Sequence, residues 1–123
     1  MFTITTDEAR KLMTVTMSGF LTPEDATSCA VQVQASAVAM GWRTGEFLLL
    51  VDSLESSVQS QSVIEAFQAG IAASSLRARK IAVLSTSSLA RMQTKRIVTG
   101  KVAGMFGSRA DAEEWLFTDS PEA

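Results

Sequence analysis

Glu46-Phe47-Leu48-Leu49-Leu50-Val51-Asp52 is the stretch whose reading decides the fold. Its apolar run shows neither helical spacing nor alternation and is closed by an acid. A strand buried on both faces has this character, as in a parallel or mixed sheet covered by helices. Lys80-Ile81-Ala82-Val83-Leu84-Ser85 repeats it. The two segments are expected to lie side by side as interior strands.

Upstream, residues 2–6 alternate Phe2 and Ile4 with threonines, the period of a half-buried strand. After a polar turn at 7–10, residues 11–18 alternate again, with Met13, Val15 and Met17 on one face, and Gly19 ends the hairpin. Thr22-Pro23-Glu24-Asp25 starts a helix: threonine suits the N-cap, proline the first position, and the acids the helix dipole. Ala26, Cys29, Ala30, Val33, Ala37 and Met40 then recur at helical spacing up to Gly41, the stop.

Downstream of the first apolar strand, 53–62 reads as a serine-rich loop running into a second helix striped by Val63, Ile64, Phe67 and Ile71. Thr86-Ser87-Ser88 offers N-caps for a third helix over about 89–103. Met105-Phe106 forms a short strand. Ser108 caps a closing helix over 110–116, with Asp111 at the capping-box position and Trp115 facing inward. The sum is an α/β domain over 1–118, a mixed sheet of about five strands with about four helices in the order ββαβαβα(β)α, and a frayed tail at 119–123.

That order, with Gly19-Phe20-Leu21-Thr22-Pro23-Glu24 after the hairpin and Val51-Asp52 in the central strand, resembles the STAS domains. These comprise the bacterial anti-sigma-factor antagonists and their SpoIIAA-like relatives. Met105-Phe106-Gly107-Ser108 followed by Ala110-Asp111-Ala112-Glu113-Glu114-Trp115-Leu116 is similar to the family's closing strand and helix. In the antagonists, an Asp-Ser-Ser/Thr-Gly turn follows the central strand and carries the phosphorylated hydroxyl. Here the place reads Asp52-Ser53-Leu54-Glu55-Ser56, so the first two positions match while the small third residue and the glycine are absent. The resemblance implies a regulatory, protein-interaction role, with Asp52, Ser53, Ser56 and Ser57 as binding or phospho-switch candidates. For the stand-alone branch, which lacks the motif, it implies apolar ligands or partner proteins.

Composition narrows the classes. The chain's 123 residues suit one domain, and 46% hydrophobic with 20% charged residues is ordinary for a globular protein. With no histidine and no tyrosine, the commonest general acid/base is missing, and no phosphate-binding glycine motif follows either central strand. A lone cysteine, Cys29, excludes an internal disulfide and a zinc site, and its place on an apolar helix stripe makes it core filler. No catalysis, metal or cofactor is therefore expected. The amino terminus has no signal-peptide character, and no apolar run approaches the ~20 residues of a membrane span. A cytoplasmic setting is the simplest expectation.

Two surfaces remain. Ligands of open α/β sheets sit at the carboxyl ends of the strands, where Ser85, Thr86, Ser87 and Ser88, with Arg91 a turn on, could hold an anion or merely cap a helix. Eight basic residues and no acid lie between Arg77 and Arg109, leaving three basic residues against all thirteen acids elsewhere. Lys95, Arg96 and Lys101 would form a basic surface, suited to an acidic protein partner, to anionic lipid heads or to self-association, or simply a solvated face partly neutralised by Glu113, Glu114 or Asp25. Nucleic acid fits poorly, since no aromatic lies in the stretch before Phe106. Met40, Met92, Met105 and Phe67 could line an apolar pocket or be plain core. A non-enzymatic regulatory or interaction domain is the leading expectation, and a carrier of a small apolar or anionic ligand is the alternative.

Overall fold

Leu48–Ser56 and Lys80–Leu84 do lie side by side, paired in parallel from Leu48↔Lys80 to Asp52↔Leu84. The structure, a computed structural model, describes residues 1–56, 59–85, 87–89, 92–93 and 103–118. The elements are β1 (Phe2–Asp7), β2 (Leu12–Gly19), α1 (Pro23–Met40), β3 (Leu48–Ser56), α2 (Gln61–Ala72), β4 (Lys80–Leu84), β5 (Ala103–Phe106) and α3 (Arg109–Leu116). They form one sheet in the order β1-β2-β3-β4-β5, its first pair antiparallel and the others parallel. No helix among the described residues is long and apolar enough to cross a membrane.

Local chemistry fixes the helix ends as the sequence implies. The Thr22 hydroxyl accepts from Asp25 N–H while the Asp25 carboxylate accepts from Thr22 N–H, each at 3.0 Å, a complete capping box before α1. Gly41 ends that helix at φ 75°, a left-handed conformation that suits glycine. Ser60 caps α2 and Ser108 caps α3.

Some boundaries differ from the sequence reading. β3 begins two residues later than 46 and runs to Ser56, so Ser53 and Ser56 are strand residues and not loop residues. Hydrophobicity stops at Asp52, but backbone pairing with β2 resumes beyond a register shift, through Ser18↔Glu55 and Gly19↔Ser56. Ala103 belongs to β5, not to a third helix. Three helices are present among the described residues where about four were expected; of the one expected over 89–103, Ser88, Leu89, Met92 and Gln93 have helical backbone, and 90–91 and 94–102 lie outside the described residues. The tail at 119–123 lies outside them too.

Successive strand residues point to opposite faces, so the sheet has two cores. On one face Leu12, Leu48, Leu50, Ala82 and Leu84 are buried under Ala112 and Leu116 of α3, with Phe106 and Trp115 packed alongside. The other face lies under α1 and α2, and its core is divided. Met13, Ala37, Trp42 and Phe47 form one cluster, and Leu21, Ala26 and Val63 form another.

Candidate functional site

Between those two clusters lies a cavity of about 320 Å³. Its floor contains cross-strand rows set by the register, Val15, Val51 and Val83 in one and Leu49 beside Ile81 in the next. Its roof is Cys29, Ala30 and Val33 of α1 with Ile64, Phe67, Gly70 and Ile71 of α2. Valines below and Cys29, Ala30 and Gly70 above are short side chains, so the two layers do not meet at the centre. The consequence shows in burial. Leu49, Val51 and Ile81 are only half-buried although they sit in interior strands, whereas Leu48, Leu50 and Ala82 on the α3 side are fully buried. A cavity of this volume is at the lower end of small-molecule sites, about 300–1,000 Å³.

Both ends are polar. At the amino end of the parallel strands, Gln34 of α1 fastens the loop after α2. Its amide nitrogen donates to the Leu76 carbonyl at 2.9 Å and to the Ser74 hydroxyl, and its oxygen accepts from Leu76 N–H at 3.2 Å. Arg77 follows, and it is the single charged residue among the described lining. At the carboxyl end, the Gln93 amide pairs reciprocally with the Gln59 backbone, donating to its carbonyl at 2.7 Å and accepting from its N–H at 3.0 Å. The Gln59 side chain in turn accepts from Leu21 N–H at 2.8 Å and donates to the Gly19 carbonyl at 3.2 Å. Three connections are thereby tied together around the carboxyl end. Burial pushes the Cys29 thiol up to about 11, so at neutral pH the roof presents a neutral thiol.

The sequence candidates are partly separated by this geometry. Ser53 and Ser56 line the cavity, the Ser53 hydroxyl donating to the Leu84 carbonyl at 2.6 Å and that of Ser56 to the Ser53 carbonyl at 3.0 Å. Asp52 is next to Ser53 in a strand and so points to the other face, its carboxylate accepting from Leu54 N–H at 3.2 Å. Ser85 is buried, with its N–H on the Phe106 carbonyl, whereas Ser87 and Ser88 are exposed. Ser57, Thr86, Arg91, Lys95, Arg96 and Lys101 lie outside the described residues. Within the basic stretch Lys80 is not a surface charge: it is buried, its ammonium donating to the Trp115 and Thr118 carbonyls at 2.9 Å each. Arg109 pairs with Glu113 of its own helix at 2.7 Å.

Of the four side chains read as either pocket lining or plain core, Phe67 lines the cavity; Met40 packs against the cluster at Trp42, and Met92 is exposed. Met105 lies in β5 and is half-buried. The sequence reading missed Arg77, seen only as one of a basic run, and the roles of Gln34, Gln59 and Gln93. The signal it could have used was a pair of helices with small residues, Cys29-Ala30 and Gly70, set against valine strands. Among the described residues no cluster of histidine, cysteine or carboxylate side chains could hold a metal.

No family model and no curated protein matches the chain. Solved structures do match it. One is an uncharacterised protein of the DUF3478 family with a SpoIIAA-like fold from Shewanella loihica PV-4, with 19% identity, 94% of this chain and 92% of that chain covered, and a TM-score of 0.67. Another is the unphosphorylated anti-sigma factor antagonist SpoIIAA, at 11% identity, 94% and 96% coverage and a TM-score of 0.61. Identities this low carry the fold alone, and on that ground the chain has the SpoIIAA-like, STAS-type α/β fold.

Proposed function

We propose that the chain is a non-enzymatic, intracellular binding protein for a small, largely apolar molecule held between the sheet and helices α1 and α2. The cavity carries this reading. It is lined by interior-strand side chains left half-buried, and leaving apolar surface unburied there forgoes about 25 cal/mol for each Å². A bound apolar molecule would recover that term. The described wall has neither a carboxylate nor a histidine, and its thiol is held neutral, which supports binding without acid–base or nucleophilic chemistry.

Native mass spectrometry of the protein purified from its own host tests the reading. A retained small molecule of constant mass is expected, lost on mild denaturation. Clean apo mass in repeated preparations counts against it.

A second reading, a regulatory protein-interaction domain, is supported by the fold shared with an anti-sigma factor antagonist and by where apolar side chains are exposed. Phe20, Leu54, Leu89 and Met92 are exposed large hydrophobics, and they follow or end β2, β3 and β4 on the side where those strands finish. Ser53→Asp, which mimics charge at the matching serine, should then release a specific partner from pull-down. Unchanged capture removes that reading.

A further inference from the structure

We propose that the ligand is an amphiphile with an anionic end group, a carboxylate in the simplest case, seated at Arg77, its apolar chain running over the valine row toward Gln59 and Gln93. This rests on the apolar-ligand reading above and adds to it the chemistry of the ligand's head and the direction in which it lies.

The cavity runs along the parallel strands, and the two ends of its described lining differ in charge. At the carboxyl end the described lining offers hydroxyls and amides, Ser53, Ser56, Gln59 and Gln93, all neutral. At the amino end it offers Gln34 and Ser74, already bonded to each other and to the loop, and one full positive charge, Arg77. No carboxylate belongs to the described lining, so nothing in it would repel an anion.

Arg77 is held by its backbone: its N–H donates to the Thr44 hydroxyl at 3.1 Å, and its carbonyl accepts from Gly45 N–H at 2.9 Å. Among the described residues its guanidinium makes no salt bridge. The acid of the adjoining turn is Glu46, whose carboxylate already accepts from Arg43 N–H at 2.9 Å. An exposed guanidinium on a held backbone at the end of an apolar channel gives a carboxylate both a charge and a forked donor. The bland alternative is that Arg77 only complements the carboxyl-terminal dipole of α2, which ends five residues earlier at Ala72.

Paired probes separate these. Decanoate and decanol share a chain and differ in the head, and their binding can be followed by the fluorescence of Trp42, which stacks on the cavity residue Phe47 at 5.7 Å. Trp115→Phe removes the second indole, on the opposite face. Decanoate should bind at least about tenfold more tightly than decanol, the scale of one charge-assisted hydrogen bond. Arg77→Gln should bring decanoate to the level of decanol by weakening decanoate far more than decanol, while Arg77→Lys keeps part of the preference. Equal affinity of the two probes for the wild-type site overturns the inference but leaves an apolar carrier standing. So does a carboxylate preference that survives in Arg77→Gln. If neither probe binds, the carrier reading falls and the inference with it.

Discussion

Gly70 of α2 meets Ala30 of α1 so closely that a Cβ on Gly70 would lie 2.6 Å from the Ala30 methyl. The helices cross at this point, directly over the cavity. Both residues line the roof, so one contact sets how near the helices approach and how much space stays below them. Gly70→Ala adds a methyl where neither backbone can yield cheaply. Alanine is the better helix former by about 1 kcal/mol, but overpacking costs about 1–3 kcal/mol, so a net loss of about 1 kcal/mol is expected in urea denaturation. Stabilisation by Gly70→Ala would mean the crossing is looser than described.

Lys80 provides a second stability test, on the opposite face. Its ammonium caps the end of α3 through two carbonyls and lies 4.8 Å from the Trp115 ring centre. Lys80→Met keeps the length of the stem and removes the donor. The lost charged hydrogen bonds predict about 2 kcal/mol of destabilisation, with the near-ultraviolet circular dichroism of Trp115 reduced. An unchanged midpoint would assign the end of α3 to other contacts.

Much of this was legible in the sequence. Phe47 to Val51 and Ile81 to Leu84 read as interior strands because both faces are covered, and Thr22, Pro23 and Gly41 marked α1 to the residue. The end of β3 was not legible, since Asp52–Ser56 is polar and joins the sheet through backbone pairing that leaves no hydrophobic pattern. The cavity was not legible either. An apolar side chain facing a void and one facing a neighbour have the same periodicity, so Cys29 and Val33 looked like core. Arg77 was hidden for a related reason, because the pairing of a charge depends on three-dimensional neighbours.

Acid should weaken the tie between the hairpin turn and α3. Arg10 bridges Asp7 at 2.8 Å and Glu113 at 3.1 Å, and Arg109 holds Glu113 at 2.7 Å. The side-chain hydrogen bond from Arg10 holds the Asp7 carboxyl below its ordinary value, and that from Arg109, with a smaller share from Arg10, does the same for Glu113. A carboxyl lowered in the folded state stabilises above its unfolded-state value, and that contribution fades as pH falls through the ordinary carboxylate range and below. The side chains of Arg10, Asp7 and Arg109 are largely exposed and that of Glu113 is half-buried, so the effect is small and salt-sensitive. Arg10→Ala should flatten the acid limb of a stability profile at low ionic strength; an identical limb would show that the bridges do not contribute.

The Cys29 thiol gives a pH signature at the cavity roof. With its value pushed up to about 11 by burial, its thiolate is scarce near neutral pH, and alkylation should run roughly a hundredfold slower than for a free cysteine. The neutral thiol favours the folded state, so that stabilisation is complete below the free-thiol range and is lost as pH rises toward about 11. Iodoacetamide kinetics across pH would show this, and a ligand in the cavity should slow the reaction further. Rapid labelling at neutral pH would mean the roof is open to water.

The void under α1 and α2 is tested most directly by filling it. Val51 is half-buried at the middle of the floor. In Val51→Phe the added ring should occupy the empty volume, leaving stability unchanged or raised and abolishing saturable decanol binding to a protein that binds it in wild-type form. In a close-packed core the same change would cost about 1–3 kcal/mol. A destabilised Val51→Phe variant, or decanol binding equally to both proteins, would contradict the cavity.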